Sequence, residues 1–131
     1  MHNRKVPEYT HLVEDVVEDL RESLRLAEQA GMDMDGVCID PGIGFAKTLD
    51  ENLQMMKHLE ALQELSYPIL LGTSRKSMIG LTLELPVDQR EEGTMATTVL
   101  GIMKGCSIIR VHDVEKNLRA AKMTLAMLRA K

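Results

Sequence analysis

The feature that most constrains the fold is the alternation of short apolar runs with longer amphipathic segments. The apolar runs comprise residues 36–40, 67–72 and 106–113. Apolar residues recur at helical spacing in four other segments, residues 13–27, 52–65, 89–104 and 114–129. Gly31 follows the first of these segments as a helix stop. The resulting order of four helices alternating with three strands predicts an α/β fold whose parallel strands are buried on both faces.

The carboxyl ends of parallel strands share one rim, and ligands bind at this rim in barrels and open sheets alike. A polar motif stands at the end of each predicted strand. The three motifs are "DPGIGFAKT" at 40–48, "GTSRKS" at 72–77 and "IIRVHDV" at 108–114. Binding or catalytic side chains are therefore expected in these three places.

The first motif begins with Asp40, followed by a turn in which Gly42 and Gly44 permit a positive φ or a close backbone approach. Asp40 either initiates the turn or accepts hydrogen bonds from the N–H groups of a ligand, and the motif alone favours neither. The segment resembles a phosphate loop, but that motif needs four residues between its glycines and a glycine before the lysine. We therefore do not predict a phosphate loop.

The second motif places Arg75 and Lys76 among hydroxyl-bearing residues, including Ser74. Adjacent cations usually lie in a solvated basic loop. Here the motif leaves an apolar strand and is followed by Met78 and Ile79, so its surroundings are predicted to be apolar. That setting favours a role in binding.

The third motif carries Arg110 and His112, which are two residues apart and so project from the same face of a strand. A charge between Ile109 and Val111 is costly unless it is paired. Either a structural salt bridge or an anion site would satisfy it, since arginine offers a planar fork to phosphate oxygens and histidine a further donor. Basic groups dominate the combined rim, which indicates a phosphorylated or pyrophosphorylated small molecule.

Composition excludes several other classes of function. The net charge is -4 and aromatic residues make up 2% with no Trp, so we predict no nucleic-acid partner. No apolar run reaches the roughly 20 residues that span a bilayer, and the first ten residues lack a signal-peptide core, so we predict no membrane association. Cys38 and Cys106 lack metal-ligand spacing and are predicted to be reduced and buried in a cytoplasmic protein.

The three motifs, in their order and spacing, closely resemble signature segments of the dihydropteroate synthase family, and "MHNR" at residues 1–4 resembles the end of its fifth barrel strand. The resemblance extends over essentially all 131 residues. It implies a (β/α)₈ TIM barrel. The implied reaction condenses 6-hydroxymethyl-7,8-dihydropterin pyrophosphate with p-aminobenzoate to give 7,8-dihydropteroate and pyrophosphate, a step of folate biosynthesis that sulfonamides target.

The resemblance also implies a role for each motif residue. The implied pterin contacts are Asp40, Lys76 and, at the chain terminus, Met1. The implied p-aminobenzoate contacts are Phe45, Ser74 and Arg75. The implied pyrophosphate contacts are Arg110 and His112. Asp40, Lys76, Arg110 and His112 would be the catalytic residues of an SN1-like reaction in which pyrophosphate leaves before the aryl amine attacks.

The chain departs from the family in length, because a (β/α)₈ barrel needs about 250 residues. We expect residues 1–131 to be a partial pterin-binding domain, from the end of strand five through helix eight. The family's Mg²⁺ would be implied as a cofactor, but the Asn associated with it lies in the missing half, and no metal ligand is expected here. We predict little or no turnover alone, and either a homodimer or pairing with an N-terminal half.

Other origins and functions remain open at this stage. The chain is either a natural half, a truncated sequence or one with a misassigned start at an internal Met. Two rival functions are a non-catalytic half-barrel that binds pterins or anions, and an α/β interaction module whose strand-end charges are only structural.

Overall fold

The computed structural model describes residues 11–45 and 47–131. Five α-helices occur in these residues: α1 His11–Gln29, α2 Leu49–Lys57, α3 Ser77–Leu83, α4 Glu91–Met103 and α5 Val114–Leu128. Short 3₁₀ helices span Met34–Gly36, Leu59–Leu65 and Val87–Gln89. The described strands are β1, Leu70–Leu71, and β2, Ile108–Ile109. Helices thus alternate with short strands, as the sequence predicts.

The strands form a small parallel sheet. Leu70 pairs with Ile108 and Leu71 with Ile109, and the parallel pairing extends to a third segment through a bridge between Ile39 and Ile69. The third segment lies on the other side of β1, because Leu70 N–H donates to Ile39 O at 2.7 Å. All three predicted strand ends therefore point the same way and lie side by side.

The core lies between one face of this sheet and the helices. Ile39, Ile69 and Leu71 are at most 4% exposed, and they belong to the same apolar cluster as Val13 of α1 and Met55 of α2. Burying side chains of this size contributes about 1.5–3 kcal/mol each, before conformational entropy is counted. This packing holds the rim in place.

The opposite face of the sheet is not covered by the described residues. Cys38 is exposed although it adjoins the buried Ile39, and Ile108 of β2 is 41% exposed. The predictions of a buried Cys38 and of burial on both faces are therefore wrong for this chain, because alternate residues of a strand point to opposite faces and only one face meets helices. Cys106 is buried, as predicted.

Several elements differ from the sequence prediction in their bounds, and one helix was not predicted. The segment predicted as one helix over 52–65 is α2 followed by a 3₁₀ helix. Over so short a stretch, the two kinds of helix space their apolar residues similarly. The strands predicted over 67–72 and 106–113 each contain only two strand residues, and the one predicted over 36–40 contains only the bridge residue Ile39. Helix α3 was not predicted, because it has seven residues with Gly80 among them.

Candidate active site at the strand ends

The first rim loop is fixed by its own backbone and by one buried amide. Asp40 Oδ1 accepts a hydrogen bond from Gly42 N–H at 2.7 Å, and Asn52 Oδ1 accepts one from Gly44 N–H at 2.9 Å. Asn52 is only 3% exposed. The φ values of Gly42 and Gly44 are +72° and +91°, a conformation that residues with a Cβ rarely adopt. Of the two possibilities expected for these glycines, a positive φ is the one that both adopt, and Asp40 initiates the turn.

The end of this loop shows why the segment is not a phosphate loop. Thr48 accepts a hydrogen bond from Glu51 N–H at 3.2 Å, and the Glu51 carboxylate accepts one from Thr48 N–H at 2.9 Å. This reciprocal capping box begins α2. The hydroxyl of Thr48 therefore caps α2, whereas the hydroxyl of a phosphate loop would face a phosphate-bound metal ion.

Lys76 joins the second rim loop to the first. Its Nζ donates to the carbonyl of Ile43 at 2.6 Å and lies 4.9 Å from the centroid of the Phe45 ring, which is within cation–π range. Phe45 is 67% exposed, so one face of its ring remains open to a ligand. The hydrogen bond between the Lys76 ammonium and the Ile43 carbonyl therefore holds the first and second loops together.

The charge of Lys76 is partly desolvated. Burial lowers the pKa of Lys76 from its ordinary value of 10.5, Asp40 raises it, and the cations Arg110 and Lys47 lower it further. Each of these neighbours therefore lies within electrostatic range of the ammonium. A bound anion would relieve the repulsion between Lys76 and Arg110.

Ser74 joins the second loop to the third. Its Oγ lies 2.7 Å from His112 Nδ1 and accepts a hydrogen bond from His112 N–H at 3.1 Å. Ser74 is 8% exposed, whereas His112 is exposed. The imidazole is therefore held through Nδ1, and Nε2 is the nitrogen left for a ligand.

Arg110 lies directly against the backbone of Gly72. A Cβ built on Gly72 would lie 2.4 Å from Arg110 Nη2 and 2.9 Å from Cζ, distances that no real Cβ contact shows. The guanidinium borders a pocket of about 190 Å³ on the rim. The pocket is lined by Gly72, Ser74, Lys76, Arg110, Val111 and His112. Three side chains that can carry positive charge thus converge on one cavity.

The backbone of Arg75 adopts the left-handed conformation, with φ of 58°. This conformation costs a residue with a Cβ about 1–2 kcal/mol. Two groups from the following segment stabilise it: Arg75 N–H donates to Thr94 Oγ1 at 3.1 Å, and Arg90 Nη1 donates to the Arg75 carbonyl at 2.9 Å. The turn places the side chains of Ser74 and Lys76 on the pocket while Arg75 itself is exposed.

The structure therefore brings together Lys76, Arg110, His112 and Ser74, with Phe45 against Lys76. Asp40 lies within electrostatic range of Lys76 and raises its pKa. The expectation of a charge inside a strand is wrong for Arg110, because Arg110 is exposed and follows the last residue of β2. Met1 lies outside the described residues.

Sequence reasoning missed the residues that support the site. Asn52 acts from the helix that follows the first loop, whereas Arg90 and Thr94 act from 15 and 19 residues beyond Arg75. Nothing in the local pattern marks any of the three. Gly72 did carry a signal, because a glycine at the end of an apolar strand often marks a close approach of another group.

The site contains no metal centre that its own side chains could form. Within 11–45 and 47–131, no three or more His, Cys, Asp or Glu side chains lie close enough together to hold a metal ion. The donor set of the rim, mainly cations and hydroxyls, does not fit Mg²⁺, which prefers oxygen ligands such as carboxylates.

Within residues 11–45 and 47–131, no helix is long and apolar enough to cross a membrane.

Comparison with known proteins places this fold and site in one class. Residues 1–112 match the family described as pterin binding enzyme, and the chain belongs to that family. It is 58% identical over 130 residues to the dihydropteroate synthase of Clostridium beijerinckii, covering 98% of this chain and 48% of that protein. The chain thus spans about half the length of the curated relatives it matches.

Solved dihydropteroate synthases have the same structure over the matched part. The enzyme of Clostridium difficile, solved in the presence of pteroic acid, aligns with a TM-score of 0.89 at 44% identity, over 98% of this chain and 49% of that one. The Yersinia pestis enzyme, solved with a sulfonamide drug, aligns with a TM-score of 0.90 at 37% identity, over 98% and 47%. The described strands and helices are therefore part of a TIM barrel, corresponding to the C-terminal half of these enzymes.

Proposed function

We propose that this chain supplies the C-terminal half of a dihydropteroate synthase active site. The reaction would join 6-hydroxymethyl-7,8-dihydropterin pyrophosphate to p-aminobenzoate and release pyrophosphate. The observation that carries the proposal is the convergence of Lys76, Arg110 and His112 on one pocket at the carboxyl ends of the strands. Active sites of (β/α)₈ barrels lie at this face.

The groups of the pocket suit the departure of pyrophosphate. Arg110 and His112 would hold its oxygens, and their donors would stabilise the negative charge that develops as the C–O bond breaks. Asp40 would accept hydrogen bonds from N–H groups of the pterin and favour the cation left behind. Lys76 would contact the pterin from the adjacent loop. The arylamine would then attack the cation, so no covalent enzyme intermediate is needed.

The p-aminobenzoate would lie at the outer side of the rim. Phe45 offers an exposed aromatic face there, and the exposed Arg75 lies on the adjacent loop. The family resemblance implies that Ser74 also contacts p-aminobenzoate, and Ser74 lines the neighbouring pocket with Arg110 and His112. Sulfonamides resemble p-aminobenzoate in shape, so we propose that they would compete at this position.

The uncovered face of the sheet supports the proposal that this half works with another one. Exposed apolar groups such as Ile108 would line the interior of a complete barrel, and unpaired strand edges favour association. We propose that the chain forms a homodimer or pairs with an N-terminal half in the cytoplasm. Mg²⁺ would then need ligands beyond the described rim. Alone, the chain would show little or no turnover.

Calorimetry with pyrophosphate tests the proposed site. Binding by the wild-type chain, together with a loss of at least tenfold in Arg110→Ala, is expected. Arg119→Ala is the matched control, because Arg119 is exposed on α5 and its partner is Glu115. Equal pyrophosphate binding by all three proteins would refute the site, and no binding by any of them would favour an α/β interaction module. Full turnover by the purified chain would refute only the need for a second half.

A further inference from the structure

The contact between Ser74 and His112 is more specific than a general packing contact. Ser74 is a buried hydroxyl, and within the described residues both of its hydrogen bonds go to His112, one to the backbone N–H and one to Nδ1. The two residues are 38 positions apart and belong to different strand ends. One side chain therefore fixes both the backbone and the ring of the histidine.

Two arrangements fit the contact between the hydroxyl and Nδ1. Donation by the hydroxyl is favoured, because if Nδ1 donated instead, the hydrogen of this buried hydroxyl would have no acceptor among the described residues. The hydroxyl has one hydrogen and two lone pairs, and one lone pair already accepts from His112 N–H. If the hydroxyl donates to Nδ1, its hydrogen is used and the neutral ring carries its proton on Nε2. If Nδ1 donated to the hydroxyl instead, Nε2 would present a lone pair to an incoming anion, which would repel it.

We infer that Ser74 is a positioning residue that selects the Nε2–H tautomer of His112, so that a neutral imidazole can donate to an oxygen of a bound pyrophosphate. This rests on the proposed function for the identity of the anion. It gives Ser74 a role apart from p-aminobenzoate, because its hydroxyl is already used within the protein.

The charges around His112 explain the benefit of a neutral donor. Arg110 and Lys76 line the same pocket. Of the acids, Asp113 is adjacent in the chain and accepts from Lys116 N–H, whereas Asp40 acts on Lys76. A neutral imidazole adds a hydrogen bond for the anion without placing a third positive charge beside the two cations.

Nitrogen-15 NMR of the histidine ring measures the tautomer directly, without any ligand. At pH 8, where imidazoles are largely neutral, the wild-type chain should show His112 as the Nε2–H form. In Ser74→Ala the ring should become a mixture of tautomers, while Ser74→Thr, which keeps the hydroxyl, should retain the wild-type form. Ser107→Ala removes an exposed serine at the other end of β2 and should have no effect.

Calorimetry with pyrophosphate at two pH values supplies the functional readout. At pH 8, Ser74→Ala should bind about twofold more weakly than wild type or worse, because the anion must then select the Nε2–H form from a mixture of tautomers. At pH 5, where imidazoles in general carry protons on both nitrogens, tautomer selection no longer matters and the two affinities should be equal within error. Comparing variant with wild type at each pH cancels the titration of pyrophosphate itself.

Several results would overturn the inference. An Nδ1–H ring in the wild-type chain would do so without any variant, and so would an unchanged tautomer in Ser74→Ala. An equal loss of affinity at both pH values would indicate a merely structural serine. If instead the tautomer changes as expected but Arg110→Ala binds pyrophosphate like wild type, the proposed function fails while the role of Ser74 stands.

Discussion

Replacing Gly72 by alanine should disable the proposed anion site by moving Arg110 while leaving every charge in place. The added methyl would lie 2.4 Å from Nη2, 2.9 Å from Cζ and 3.1 Å from Nε of Arg110. All three distances are below ordinary van der Waals contact, so the guanidinium has to leave the backbone. Since Arg110 is exposed, it can rotate away at little cost in stability.

The expected size of the effect follows from what the guanidinium would donate. Hydrogen bonds to charged groups contribute roughly 1.5–3 kcal/mol, and each 1.4 kcal/mol corresponds to about tenfold in affinity. Gly72→Ala should therefore bind pyrophosphate about 10- to 100-fold more weakly in calorimetry. Gly36→Ala is the matched control, because a Cβ there meets nothing within 4 Å and should leave affinity unchanged.

A double variant separates displacement of Arg110 from other effects of the methyl group. In an Arg110→Ala background, Gly72→Ala should cause no further loss, because the group it displaces is already gone. Additive losses of pyrophosphate affinity in the double variant, or wild-type affinity in Gly72→Ala alone, would refute the idea that Gly72 positions the Arg110 guanidinium.

Three further predictions concern the support of the rim. Thr94→Val removes the acceptor of Arg75 N–H and should lower the free energy of unfolding by about 1–3 kcal/mol in urea denaturation; no change would refute the contact. Asn52→Ala should cost a similar amount and speed amide hydrogen exchange at Gly44, whereas unchanged exchange would show that the loop holds itself. Because the pKa of Lys76 is lowered, pyrophosphate affinity should begin to fall with rising pH below 10.5, and Lys76→Arg, which stays charged, should abolish that fall; an identical pH profile in both would contradict it.

The elements of the fold that follow from periodicity were predictable. Helix α1, predicted over 13–27, spans His11–Gln29, because its apolar spacing reports the face that meets the sheet. Such spacing carries less information over short stretches, which is why α3 was missed. The exposure of Cys38 was also beyond the pattern, because apolar composition of a strand does not say whether both of its faces are covered.

The composition of the site was likewise predictable, but its internal contacts were not. The rule that parallel strands end on one rim was sufficient to group Lys76 with Arg110 and His112. The partner of each side chain depends on distances between loops, which the sequence does not encode locally. Ser74 illustrates this, because its motif suggests a ligand contact while its position gives it His112 as a partner.

These inter-loop contacts make the rim a linked series in which structural and binding roles overlap. Lys76 ties the second loop to the carbonyl of Ile43 in the first, and Ser74 ties it to His112 in the third. Each of these contacts involves a residue of the proposed site. A ligand that binds Lys76 or His112 would therefore also alter the contact with the neighbouring loop. Because Lys76 holds Ile43 O and faces the Phe45 ring, an anion or pterin that attracts the ammonium would alter the loop bearing Phe45. If the proposed function holds, occupation of the proposed pterin-pyrophosphate position should therefore change the affinity for p-aminobenzoate, and by thermodynamic reciprocity the reverse should hold by the same factor.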